Sequence, residues 1–393
     1  TNVSIGGYSR FYIKVYIDGV LANNPTTGEF DWNQLDINSI ESIKINYAPQ
    51  SSDTEFAGAS ISISTKKYSM DFGEMSGQTI SYANSLFDST LLKANFCSNI
   101  GPLNYKLDIS TQQASNNYEL PNSKTNKGNE NRLGSVGLSF DTFLGDLALS
   151  FDSHLSYNQY ATNTTSVLDG IGVEKSLNNR ESLLLNYKNH KLGLIHQGVK
   201  SDYNSTHQNV QTLEANYSFK SKKTGYINFS KLRYEFSNSF NAQRISLSIG
   251  TTKNFIFNNG FSIIPSLICL GSKSTDSSIL LEPLPKVSFV SPFGLTYSVF
   301  RSFSLPTFNQ LYWNDNYYIP NPNLVPESGW GHSLSFLQTD FPLYAIIQNS
   351  WYANKITWTG KNENGSFAEN SKNGIYLSAT LGSNYSWKYI GYN

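Results

Sequence analysis

Five histidines and two cysteines are the only side chains of their kinds available for metal or thiol chemistry in this 393-residue chain. His154, His190, His196, His207 and His332 stand apart, without the short spacing that converges ligands on one ion. Cys97 and Cys269 lie far apart in strand-like patterns, so they form neither a redox motif nor half of a zinc set. Ser and Asp are plentiful, yet there is no Gly-X-Ser-X-Gly elbow and no glycine-rich phosphate loop. No catalytic set, metal or cofactor is expected. Isolated polar residues on alternating strands read instead as a wet lining, which supports binding and passage rather than bond chemistry.

Composition suits that lining. Charged residues make up only 15%, against about 25% in ordinary soluble domains, and Tyr 25, Phe 24 and Trp 6 are abundant. Lys+Arg 29 balance Asp+Glu 29, so no basic field draws in nucleic acid. No segment has the continuous apolar length of a transmembrane helix. A transmembrane barrel remains open, because its strands alternate and keep mean hydropathy low, here −0.36.

From residue 78 onward, period-two segments follow one another. Leu103, Tyr105, Leu107 and Ile109 alternate with Asn104, Lys106, Asp108 and Ser110, which predicts an outward apolar face and an inward polar one. Hairpins are predicted across Gly101-Pro102, Gly145-Asp146, Lys188 to Lys191, Lys222 to Gly225, Asn258 to Gly260, Ser291 to Gly294 and Asp340 to Pro342. In the fourth of these, Leu213, Ala215, Tyr217 and Phe219 are expected to meet Ile227 and Phe229. Longer polar stretches (111–132, 158–181, 197–211, 271–281, 301–330 and 359–373) fall between the tight turns. An up-and-down barrel explains that alternation, whereas a soluble sandwich does not. The fold class expected is all-β: an antiparallel transmembrane barrel of about sixteen visible strands out of a probable ~22, preceded by a small mixed α/β domain. Both chain ends read as cut, and a longer full product is expected.

Residues 1–66 break the rhythm. Ile17-Asp18-Gly19-Val20 reads as a buried strand entering a turn. Ile40-Glu41-Ser42-Ile43 reads as a second strand, and Gly58-Ala59 leads into Ile61-Ser62-Ile63-Ser64-Thr65-Lys66. In order and spacing these elements resemble the plug of TonB-dependent receptors. A later block resembles a late extracellular loop of the same family: Arg301 to Tyr312, followed by Asn321-Pro322-Asn323-Leu324-Val325-Pro326-Glu327. Departures are Tyr47-Ala48-Pro49 where the family has Arg-Gly-Pro, Gly58-Ala59 for paired glycines, and Gly6-Gly7 for Arg-Gly. Plug–wall contacts are therefore expected to be altered.

The resemblance implies the C-terminal part of a small mixed α/β plug over residues 1–66 and a partial barrel over 67–393 in the cell outer membrane, acting as a monomer. It implies a nutrient ligand, cobalamin or a ferric siderophore, bound at the outer face. It also implies a TonB complex acting through a plug segment expected outside this chain. Asp18, Gly19, Glu41, Gly58 and Thr65 are the expected structural plug residues. Tyr312, Trp313, Tyr317 and Tyr318 are candidates to stack on a planar ligand, with an interfacial aromatic belt as the alternative role. The haem-uptake branch of the resembled family usually has a His between the Arg…Pro and Asn-Pro-Asn-Leu boxes; residues 307–320 contain none, so the resemblance disfavours haem. A passive porin-like barrel and a degenerate surface receptor are the competing readings.

Overall fold

The computed structural model describes residues 4–5, 12–32, 35, 39–50, 55–56, 58–66, 71–82, 85–115, 118–120, 124–126, 130–163, 171–203, 206–275, 277–314, 318–337, 343–362, 365–371 and 373–383. The front segment forms a four-stranded sheet from β1 (Ile13–Ile17), β2 (Val20–Leu21), β3 (Ile40–Asn46) and β4 (Ala59–Thr65), in the order β2-β1-β4-β3. β1 and β4 run parallel, Val15 opposite Ile61. Ile13, Val15, Ala59, Ile61 and Ile63 bury one face of this sheet with Ile5 and Phe30.

The Asp-Gly dipeptide makes the β1–β2 turn because both residues take positive φ, 49° at Asp18 and 85° at Gly19. Asp18 also holds the end of β4: its carboxylate accepts from the Thr65 amide at 2.9 Å and the Thr65 hydroxyl at 2.6 Å. Two motifs 47 positions apart in sequence are thus one local structure.

β5 (Phe72–Tyr82), β6 (Ser85–Ile100) and β7 (Leu103–Ala114) begin the wall. It continues antiparallel, neighbour to neighbour, to Gly374–Ser383, and the strand order closes with that strand beside β5. Seventeen segments take part. Ala242–Lys253 and Phe255–Ile256 share one partner strand, so the wall has the sixteen positions expected. At the junction, Met75, Ile375, Leu377 and Leu381 are 74–79% exposed, against 44–48% for Leu194, Leu213, Leu232 and Leu247. The outer surface is thinly packed at that junction.

Faces alternate as expected around β7. Ile109 and its partner Val136 point outward, while Lys106 and Asp108 pair at 2.9 Å on the other face. The tight turns fall where predicted, with positive φ at Gly101, Gly145, Lys188, Gly225, Gly260 and Gly294. The turn around Asp340 lies outside the described residues.

Two expectations need correction. Stretches 158–181 and 197–211 are mostly not loop, since strands run to Asn163 and Tyr203 and restart at Ile171 and Thr206. Backbone ladders continue past the apolar band whatever the side-chain polarity, so polar composition there marks height above the membrane. Secondly, the register after Lys222 to Gly225 places Lys220 opposite Ile227 and Ser218 opposite Phe229. Ile227 and Phe229 therefore share a face with inward residues, not with Leu213 and Tyr217. Turn length sets strand parity, and a one-residue difference turns every side chain over.

Candidate functional site at the outer mouth of the barrel

The plug sheet lies in the lumen, because inward residues from strands all around the wall reach it. Asn158 and Tyr160 donate to the Asp31 carboxylate at 3.2 and 2.9 Å. Gln197 donates to the Leu21 carbonyl and Lys286 to the Pro49 carbonyl. Gln348 donates to the carbonyls of Tyr47 and Gly58 at 3.1 and 2.9 Å. Phe56 and Phe303 exchange two backbone hydrogen bonds, each 2.9 Å, a single antiparallel bridge between plug and wall.

Charges of the two parts also act on one another. Glu55 of the plug lies 3.9 Å from Lys14. Burial alone would raise its pKa, but the charges of Lys14, Arg233, Arg244 and Lys231 outweigh burial and hold it below the usual carboxylate range. Arg233 and Arg244 also pair with Glu235, at 2.9 and 3.5 Å. Elsewhere, the Tyr12 hydroxyl donates to Glu327 at 3.2 Å. Burial, then the nearby Glu327 carboxylate, pushes that phenol upward.

Above the plug, the late loop forms a lid. Its short helix α1 (Phe308–Tyr312) starts in a capping box: Thr307 Oγ1 accepts from the Gln310 amide, and the Gln310 side chain accepts from the Thr307 amide. Arg244 donates to the Pro306 carbonyl at 2.6 Å and stacks over the Phe308 ring. Phe308 and Leu311 are buried with Val210, Leu324, Ile356 and Ala368 in a small core of the loops themselves. Asn321 ties this core to the Ile356–Asn362 and Gly365–Asn370 hairpin by donating to the Ala368 carbonyl at 3.0 Å. The plug touches the lid where the Asn309 amide donates to the Thr26 carbonyl at 3.3 Å.

The candidate aromatics separate in this arrangement. Tyr312 and Trp313 pack on Phe240, with ring centroids 6.1 and 6.4 Å away. Tyr318 meets Trp358 edge-on at 5.1 Å and is the more exposed of the three. Tyr317 lies outside the described residues. Among the plug residues, Asp18 and Thr65 are joined, Gly19 makes their turn, and Gly58 supplies a carbonyl to Gln348. Glu41 is exposed on β3 and is not brought to this group. Asp31, Glu55, Phe56 and Gln348 were not singled out from sequence. Each sits in an unremarkable context, and only the facing part, the wall for the first three and the plug for Gln348, gives it a role. Among the described residues no group of His, Cys, Asp and Glu side chains is placed to hold a metal ion.

A barrel holding a small plug sheet in its lumen, closed above by a loop lid, is a plug-and-barrel architecture. Residues 1–59 match the family described as TonB-dependent Receptor Plug Domain. The siderophore receptor PirA from Pseudomonas aeruginosa superposes with a TM-score of 0.71 at 14% identity, over 96% of this chain and 73% of that one. The FrpB iron transporter from Neisseria meningitidis gives 0.73 at 11%, over 98% and 71%. A Serratia marcescens hemophore receptor, HasR, gives 0.68 at 12%, over 96% and 72%. No curated protein sequence matches the chain. The plug match concerns residues 1–59, and the chain as a whole shares the plug-and-barrel fold of these structures.

Proposed function

We propose that this protein is a TonB-dependent importer of the outer membrane that captures a ferric chelate of the siderophore class at its outer mouth. In this reading residues 1–66 are the plug and 67–393 the wall. The observation that carries it is the plug itself, hydrogen-bonded to the wall through Asp31, Gly58 and Phe56 and touching the lid through Thr26. A passive pore has no use for a lumen occupied in this way. Tyr318 and Trp358 are the proposed ligand platform, while Tyr312 and Trp313 hold the lid in place. The named likenesses to iron-uptake proteins support a ferric chelate ahead of cobalamin. A TonB complex pulling on the plug would then open the passage without chemistry on the ligand.

The test is equilibrium binding by the detergent-solubilised protein to ferric catecholates, ferric hydroxamates, haem and cyanocobalamin. Saturable binding of one ferric chelate, weakened by Tyr318→Ala, is the expected result. Selective binding of cyanocobalamin or haem would overturn the ligand class, and binding of none would favour a degenerate receptor.

A further inference from the structure

The register shift after residues 222–225 leaves an irregularity on the lipid-facing side of the wall. Phe229 turns inward, where it packs with Ile268, Leu270, Leu284 and Phe303 beneath the plug. Its neighbours Asn228 and Ser230 consequently face outward. Across the ladder, Asn228 stands opposite Thr251, which is opposite Leu267; Ser230 stands opposite Tyr217 and Ile249, and Ile249 opposite Cys269. Two rows that would ordinarily carry bulky apolar residues thus hold an amide and two hydroxyls between rings and branched chains. The result is a groove of about 410 Å³, lined by Tyr217, Asn228, Ser230, Thr251, Leu267 and Cys269.

A second feature stands at the same end of the same strands. One register step below Asn228 and Thr251, Tyr226 faces Lys253, about 7 Å along the strand. The Lys253 ammonium lies over the rings of Tyr226 and Phe255, 4.6 and 4.5 Å from their centroids. Lys220, Lys222 and Lys223 are exposed at the adjoining tight turn. Residues 215–234 and 236–275 contain no Asp or Glu, so this sector of the tight-turn rim is wholly cationic.

We propose that this groove and rim form a binding site for an anionic phospholipid of the leaflet on the tight-turn side. The phosphate would meet Lys253 and the turn lysines, and the ester region would meet Asn228 and Thr251. One acyl chain would lie in the trough over Ser230 and Cys269. The vertical order of these groups, cation then polar row then apolar trough, repeats the order of a phospholipid from headgroup to tail. Charge complementarity selects an anionic headgroup over a zwitterionic one. The inference rests on the membrane-spanning reading but is independent of which nutrient is imported.

The experiment is native mass spectrometry of the chain refolded in detergent and offered equal phosphatidylglycerol, phosphatidylethanolamine and lipopolysaccharide. Phosphatidylglycerol is expected to be retained preferentially. Lys220→Gln, Lys222→Gln, Lys223→Gln and Lys253→Gln should each lower retention by about fivefold at most, and together should abolish the preference. Ser230→Phe should fill the trough and reduce retention without changing charge. The control Arg132→Gln, at the loop end, should leave it unchanged. Equal retention of the two phospholipids, preference for lipopolysaccharide, or unchanged binding by the fourfold lysine variant would each overturn the site. Heat-modifiable gel mobility reports the barrel in every variant. Its absence in the unsubstituted chain would sink the membrane reading itself, whereas a barrel without retained lipid sinks only this inference.

Discussion

Glu55 shows how one plug side chain feels the charges of the wall. It is a carboxylate largely removed from water, and its ionisation is sustained by Lys14 beside it and by Lys231, Arg233 and Arg244 of the wall. Its pKa is lower when the plug is seated than when it is free. The stabilisation is therefore complete above the ordinary carboxylate value of about 4.3, and it is lost as pH falls through the lower, seated value. Protease accessibility of the plug, followed from neutral pH downward, should rise only in that acidic range. Glu55→Gln should loosen the plug at neutral pH by on the order of 2 kcal/mol and flatten the acid-dependent part of the profile. A profile identical to that of the unsubstituted protein would show that the cluster does not hold the plug.

At the scale of the strand, alternation decides which substitutions the membrane notices. β7 presents Leu107 outward, opposite Leu138 and Phe96, and Lys106 inward beside Asp108. Leu107→Arg should cost roughly 2–4 kcal/mol near the bilayer midplane, whereas Lys106→Ala should be mild. Urea-dependent folding into bilayers measures both, and equal effects would refute the assigned faces. This alternation was legible in the sequence because Leu103 to Ser110 repeat strictly with period two. The strand Tyr226–Ser237 was misread because Ile227 and Phe229 look like an apolar face in isolation. Inside the barrel Phe229 meets Ile268, Leu270 and the plug-bridging Phe303, so the lumen here is apolar where it seats the plug.

For the whole molecule, the decisive contact is the Phe56–Phe303 bridge, at which plug and wall share backbone hydrogen bonds. Residues exchanging both bonds of an antiparallel pair stand about 5.5 Å apart at Cα, within reach of a disulfide. Phe56→Cys with Phe303→Cys should therefore cross-link under oxidation, in a background lacking Cys97 and Cys269. Under the importer reading, the cross-linked protein should still bind ligand at its outer mouth but deliver none, and reduction should restore delivery. Uptake at the same rate with the bridge closed would mean that this part of the plug does not move.

The amino-acid sequence by itself determined the all-β class, the sixteen wall positions, most tight turns and the plug motifs. These depend on local rules: period-two alternation, positive φ at turn residues, and short runs such as Ile17-Asp18-Gly19-Val20. Only the tertiary structure decided what those pieces do together. It joined Asp18 to Thr65, set Glu55 among wall cations, turned Tyr312 and Trp313 into lid supports, and sent Phe229 inward. The physical reason is that each of these outcomes depends on a partner distant in sequence or on a register set by turn length. Neither is encoded in the neighbourhood of the residue concerned.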